Sequence, residues 1–188
     1  MAKTDTEMPT MEKTSSKNDD KTSGSSPLRQ FFVDALKDIY YAETVLTEAM
    51  GRFEKASTTE ELREAFEDDQ AESQKHLKRL ERVFQIFDET PAKKTCEGIN
   101  GIIKEADEII KSTPEGSMTR DAALIIAAQK AEHYEIATYG GLVQLALTMG
   151  ENKAASILER TLEEEENTDQ NLTEIAEMFI NFDAERED

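Results

Sequence analysis

Some of the carboxylates in this chain interrupt apolar stripes at helical spacing. One stripe runs Phe32, Leu36, Ile39, then Glu43, then Leu46 and Met50. A second runs Leu62, Phe66, Asp69, Glu72, His76, Leu80 and Val83. A third runs Ile125, Ala128, Glu132, Glu135, Tyr139, Leu142 and Ala146. A fourth runs Leu158, Leu162, Glu165, Asp169, Leu172, Ala176 and Phe179. Each is apolar at both ends and acidic in the middle. Residues three and four apart share a helix face, so acid points where the flanking Leu, Ile and Phe must be buried. Bare carboxylates gathered in a core lose hydration and repel one another. Either they bind protons or a cation neutralises them. A helical phase shifted by about 100° would put these acids on the surface. It would also expose the flanking apolar residues.

The chain has two histidines, both close to this level. His76 follows Glu72 by four residues and shares its face, the spacing that places two ligands together in HExxH zinc helices. His133 directly follows Glu132, so it points about 100° away, and it reads as a surface, packing or supporting residue. The candidate metal ligands are Glu43, Glu72, His76, Glu132, Glu165 and Asp169, with Glu135 and Asp69 in reserve. Glu164 is a third reserve candidate, offset by one residue so that it would face a neighbouring helix. Carboxylates with one imidazole suit Fe or Mn better than Zn or Cu. Glu43, Glu72, Glu132, Glu165 and Asp169 carry five negative charges, and two divalent ions nearly balance them.

The elements that must position these groups read as helices throughout. Residues 1–26 contain no Leu, Ile, Val or aromatic residue and cannot bury enough area to offset ordering, so a disordered tail is expected there. That tail nets −1, which leaves −18 of the total −19 on residues 27–188, the expected folded unit. Helical periodicity predicts helices at about 28–56, 59–88, 94–111, 119–149 and 151–182. Pro27, Pro91 and Pro114 fall at breaks, Ser57 and Glu60 have capping-box spacing, and Gly150 has the position of a helix-ending glycine. Glu43, Glu72, Glu132 and Glu165 all lie about 14 or 15 residues into their helices, so they meet at one level in a bundle of equal helices. The first and second long helices are joined by a short turn, as are the last two, so each pair is antiparallel. The linker at 89–118 is long enough to run the length of the bundle. The fold class is therefore an all-α, ferritin-like antiparallel four-helix bundle with one long crossover containing a short extra helix.

Composition excludes several functions. The 188 residues hold 41 acidic and 22 basic side chains, and no basic cluster suits nucleic acid. No apolar run approaches a membrane span, and the N-terminus lacks the apolar segment of a secretory signal. The one cysteine, Cys96, excludes an intramolecular disulfide and a multi-cysteine zinc site. The expectation is a soluble cytoplasmic protein.

The stretches RDAALIIAAQKAEHYEIATYG (120–140) and LERTLEEEENTDQNLTEIA (158–176), with DIYYAE (38–43) and HLKRLERVF (76–84), closely resemble the YciE/YciF family of bacterial stress proteins. The likeness covers about 28–180. It implies a ferritin-like bundle of rubrerythrin-type architecture, a homodimer, a dinuclear site for two Fe or Mn ions, and a role in stress. Ferritin-like two-metal sites take a Glu from each of two helices and a Glu with a His three residues later from each of the others. Here the pair spacing is four, and Asp169 stands where a second His would be. Relatives often carry more His or Glu around 69–74, where this chain reads DQAESQ. Three functions fit these residues. One is a metalloenzyme of peroxidase, catalase or oxidase type acting on peroxide or oxygen. Another is metal sequestration without turnover. The third is a purely structural or partner-binding bundle.

Overall fold

A computed structural model describes residues 26–187. The expected disordered tail lies outside the described residues except for Ser26. That residue caps the first helix: its side-chain oxygen accepts from the Arg29 N–H at 3.2 Å, and Pro27 occupies the first turn. The helices are α1 (Pro27–Ala56), α2 (Glu60–Ile86), α3 (Glu97–Ser112), α4 (Met118–Thr148) and α5 (Asn152–Ile175). A π-helical turn (Ala176–Ile180) and the short α6 (Asn181–Glu185) prolong α5. Among the described residues there is no strand, and no helix is long and apolar enough to cross a membrane.

Two long helices end in the same device. A residue of left-handed φ follows the cap: Asp88 at +53° after α2, Gly150 at +78° after α4. The next N–H reaches back across the last turn, Glu89 to the Phe84 carbonyl and Glu151 to that of Ala146, both at 2.9 Å. This Schellman closure satisfies carbonyls that a helix end leaves bare.

The expected capping box at Ser57 and Glu60 does not form. Ser57 Oγ donates to the Phe53 carbonyl at 2.8 Å instead, and Thr59 precedes α2 without a side-chain cap bond of its own. The fully buried Asp121, from the first turn of α4, takes over the capping task. It accepts from the Thr58 and Thr59 N–H groups at 2.7 and 2.8 Å and from Thr59 Oγ1 at 2.8 Å. A long-range carboxylate thus does what the local box would have done.

This clasp also fixes topology. It places the starts of α2 and α4 at the same end, so these two helices run parallel. The short turns make α1 antiparallel to α2 and α4 antiparallel to α5. Packing of α2 on α5 and of α1 on α4 closes the ring, with α2 and α4 on a diagonal and every adjacent pair antiparallel. The all-α four-helix bundle expected from the sequence is the fold observed. Within the long crossover, α3 lies against α4 and α1. Arg120 ties its end down, donating to Thr113 Oγ1 at 3.1 Å and to the Ile110 carbonyl at 3.1 Å.

Apolar layers fill both ends of the bundle. Phe32 stacks on Phe87 with ring centroids 4.5 Å apart, and Arg29 lies over the outer part of that pair. At the opposite end Phe53 meets Phe66 edge-on at 5.8 Å. Replacing Asp121 with Ala leaves two backbone N–H groups without their acceptor. A loss of about 3 kcal/mol is expected in denaturant unfolding, and Asp121→Asn, which keeps one acceptor oxygen, is expected to lose less.

Candidate metal centre

Between those layers the core turns polar. Glu43 from α1, Asp69 and His76 from α2, Glu132 and Glu135 from α4 and Glu165 from α5 are all buried, none more than 6% exposed. Their donor atoms form two triads, Glu43 with His76 and Glu165, and Asp69 with Glu132 and Glu165. Within each triad the donor atoms lie within 4.8 Å of one another, and Glu165 is common to both. Six buried atoms here have no hydrogen-bond partner: Glu43 Oε2, His76 Nδ1, both oxygens of Glu132, Glu135 Oε1 and Glu165 Oε1. Buried polar atoms are almost always paired, so six unpartnered ones on neighbouring residues mark this layer as a candidate metal site.

The imidazole is oriented from outside. His76 Nε2 lies 2.9 Å from Glu164 Oε2. Glu164 is in turn gripped by Arg79, through Nη1 to Oε2 and through Nη2 to Oε1 at 2.8 Å. The hydrogen bond from Arg79 holds the Glu164 carboxyl down at about 2, against its partial burial. An ionised carboxylate only accepts, so Nε2 carries a hydrogen and donates it. His76 Nδ1 then faces inward, 3.0 Å from Glu165 Oε1 and 3.3 Å from Glu43 Oε1, without hydrogen-bond alignment to either. Glu43 Oε1 is steadied by the hydroxyl of Tyr139, which is fully buried with its ring edge-on to His76.

Four of the six candidate ligands read from the sequence come together: Glu43, His76, Glu132 and Glu165. Two of the reserve residues, Asp69 and Glu135, are buried with them, and the third, Glu164, stays outside. Glu72 does not. It is 32% exposed in its side chain and lies 4.0 Å from Lys75 at the surface of α2. Asp169 is also displaced. It sits on the α4–α5 seam, 3.2 Å from His133 Nδ1 and 3.2 Å from Gln129 Nε2. His133 is 66% exposed and matches its reading as a surface or supporting residue. Glu164 belongs to the surround of the centre through His76.

The physical reason is helix phase. The buried line of α2 is Leu62, Phe66, Asp69, Ser73, His76, Leu80 and Val83, alternating steps of four and three. Ser73 occupies the step, and Glu72 falls one residue off it. In α4 the same alternation passes through Ile125, Ala128, Glu132, Glu135, Tyr139 and Leu142, so both glutamates face inward. In α5 it passes through Leu158, Thr161, Glu165 and Leu172 and leaves Asp169 to one side. Strict alternation is the sequence signal that separates these residues from their neighbours. Arg79 carried no such signal.

The comparisons with known proteins agree with this fold. Residues 27–185 match the family described as "Domain of unknown function (DUF892)". Protein YciF of Escherichia coli (strain K12) is 42% identical over 159 residues, covering 84% of this chain and 95% of YciF. The crystal structure of that E. coli stress protein superposes with a TM-score of 0.78 at 40% identity, over 82% of this chain and 97% of the other. YcfI from Rhodopseudomonas palustris follows at 0.75 and 32% identity, over 81% and 96%. A protein from Xanthomonas campestris shares the fold at 0.68 and 22% identity, over 85% and 97%.

The cluster also sets the pH response of the metal-free chain. Burial pushes up the carboxyls of Glu43, Asp69, Glu132 and Glu135, and the neighbouring charge of Glu165 adds to it in each. At His76 burial opposes the charged form, but Glu165 and Glu43 outweigh it and push the imidazole up to about 11. A carboxyl raised in the folded state withdraws stability as pH rises above its unfolded value. His76 contributes stability that is full below its ordinary value of 6.5 and is lost as pH climbs through about 11. Both trends run the same way. Glu164 opposes them only below its ordinary value of 4.5. Chelator-treated protein should therefore melt at a higher temperature near about pH 5.5 than near about pH 8. Glu132→Gln should flatten that dependence, and thermal melts across the range measure both.

Proposed function

The chain belongs to the DUF892 family, and from that premise we propose a ferritin-like protein that holds two Fe or Mn ions and handles peroxide or iron in a bacterial stress response. The observation that carries this reading is the set of six buried donor atoms without hydrogen-bond partners, gathered around one shared carboxylate. An unsatisfied buried polar group costs about 1–3 kcal/mol, more when charged. A fold that keeps six of them together gains from a cation that uses them. The stress setting comes from the E. coli relative, which is described as a stress protein.

The donor chemistry fits. Five carboxylates and one imidazole suit Fe or Mn, and Glu165, common to both triads, would help to hold both ions. His76 would offer Nδ1, because Glu164 already holds its other nitrogen. Glu43 and Glu135 would complete the set, with Tyr139 keeping the Glu43 carboxylate in place. When bound, the metals would supply the redox change and Lewis acidity that peroxide or oxygen chemistry requires. The chain's own part is to orient the ligands and, through Leu36, Ile39, Leu46, Leu80 and Leu142, to exclude water.

Elemental analysis of protein produced with both metals supplied is expected to find about two Fe or Mn per chain, and well under half of that in Glu132→Ala. Absence of stoichiometric metal would favour the structural or partner-binding bundle. Peroxide consumption by the loaded protein, abolished in Glu132→Ala, is expected for an enzyme, whereas sequestration predicts binding without consumption. Chelation near neutral pH should lower the melting temperature by several degrees, since a ligand at about 100 times its Kd contributes about 2.7 kcal/mol to the folded state.

A further inference from the structure

Between α2 and α5 a cleft of about 390 Å³ opens beside the buried centre. Asp68, Asp69, Glu72 and Lys75 line it from α2, and Asn167 and Asn171 from α5. Asp68 is exposed at the mouth, and Glu72 is partly exposed beside it. Asp69 is 94% withdrawn from solvent and has no hydrogen-bond partner among the described residues. Of the residues lining the cleft, Asp69 is the one that also belongs to the buried cluster. Its carboxylate connects the two.

The charge of the cleft selects what can use it. Three carboxylates stand against one ammonium, and Lys75 holds Glu72 only at the 4.0 Å limit of an ion pair, in partly solvated surroundings. The side-chain carbonyls of Asn167 and Asn171 add neutral oxygen donors of the kind hard cations accept. Further along the same α2–α5 seam, Arg79 and Glu164 close the interface with a forked ion pair. The fixed guanidinium there repels a cation. The α4–α5 seam is bridged at this depth by Asp169 with Gln129 and His133. A neutral molecule such as peroxide is not drawn by the net charge at the mouth, whereas a hydrated cation is, and it exchanges water for carboxylate oxygens one step at a time.

We propose that this cleft is the route by which divalent cations reach the buried centre, with Asp68 and Glu72 gathering the ion at the mouth and Asp69 passing it inward. The proposal rests on the two-metal reading above and adds to it a task for two residues outside the ligand set, Asp68 and Glu72. It also gives Glu72 a task that suits its place on the rim. Concave surfaces of one sign raise local ion concentration and association rates, so the effect belongs to the rate of loading and not to its end point.

The test is uptake of Mn²⁺ alone by the metal-free full chain, followed through loss of the free-ion paramagnetic resonance signal. Asp68→Asn with Glu72→Gln removes two charges from solvent-facing positions without touching the core. Uptake is expected to slow by about 3- to 10-fold at an unchanged end point. Added salt should slow the unsubstituted protein more than the variant, and Lys75→Gln should speed uptake. Equal rates in the variant and the unsubstituted protein would overturn the route while leaving the metal centre intact. A lowered end point in the variant would also overturn it, because Glu72 or Asp68 would then be a ligand. If the unsubstituted protein takes up no Mn²⁺, the two-metal reading falls and the route with it.

Discussion

Like charges sharing a dry volume are the constraint to which the rest of this bundle answers. Two carboxylates about 4 Å apart repel by about 4 kcal/mol at the effective dielectric of a protein interior near its surface, and here five converge on one level. Such a layer survives only if the helices cannot slide or splay to relieve it. The apolar layers on either side supply that hold. Leu36 and Ile39 lie beyond Glu43 in one direction, Leu46 and Met50 in the other, all of them buried. Aromatic pairs close the ends, Phe32 on Phe87 and Phe53 on Phe66. The Asp121 clasp and the two Schellman closures fix where α2 and α4 begin and end. A slip of one helix by a single turn, about 5.4 Å, would carry an acid into Leu or Phe.

The same constraint explains why the buried imidazole is tethered to the surface. A histidine among carboxylates could turn either nitrogen inward or bind a second proton. Arg79 and Glu164 remove the freedom of orientation. Arg79 keeps Glu164 ionised, and Glu164 takes the Nε2 hydrogen. Nδ1 is left pointing at Glu43 and Glu165. Outer partners of this kind commonly set the tautomer and basicity of a metal-binding imidazole. A partly exposed ion pair of small energetic worth by itself thereby controls the geometry of the interior.

Much of this was legible in the sequence because the apolar residues repeat on one period through four segments. The bundle, its crossover and the mid-depth level of the acids follow from Phe32 to Met50, Leu62 to Val83, Ile125 to Ala146 and Leu158 to Phe179. What the sequence left ambiguous lies inside the polar layer itself. There the apolar residues that define the phase are missing, so Asp69, Glu72 and Ser73 compete for one face. Extending the alternation of fours and threes inward from Phe66 and Leu80 settles the choice on Asp69, Ser73 and His76. The small Ser73 had no chemical appeal, and Glu72 had the familiar spacing to His76. Geometry favoured the serine. The Asp121 clasp was invisible for a different reason, since it joins residues 62 and 63 positions apart and no local pattern announces it.

The alternation that fixes the core also divides the acid into two populations. Steps of four and three keep a seam facing inward along a helix packed at a shallow angle. A carboxylate on the seam is buried whatever its chemistry, and its neighbour one residue away is turned by about 100° toward water. Asp69 and Asp68 differ by that single step, as do Glu165 and Glu164. The seam members crowd together, with buried oxygens on Glu43, Glu132, Glu135 and Glu165 left unpartnered. The off-seam members are solvated or paired, Glu164 with Arg79 and Glu72 with Lys75. The net charge of −19 is therefore not one property of this chain. Most of it is ordinary solvated surface, and a fraction of it, set by helical phase alone, is confined where only protons or cations can answer it. The two populations adjoin at one cleft, where exposed Asp68 and half-buried Glu72 line the same opening as buried Asp69.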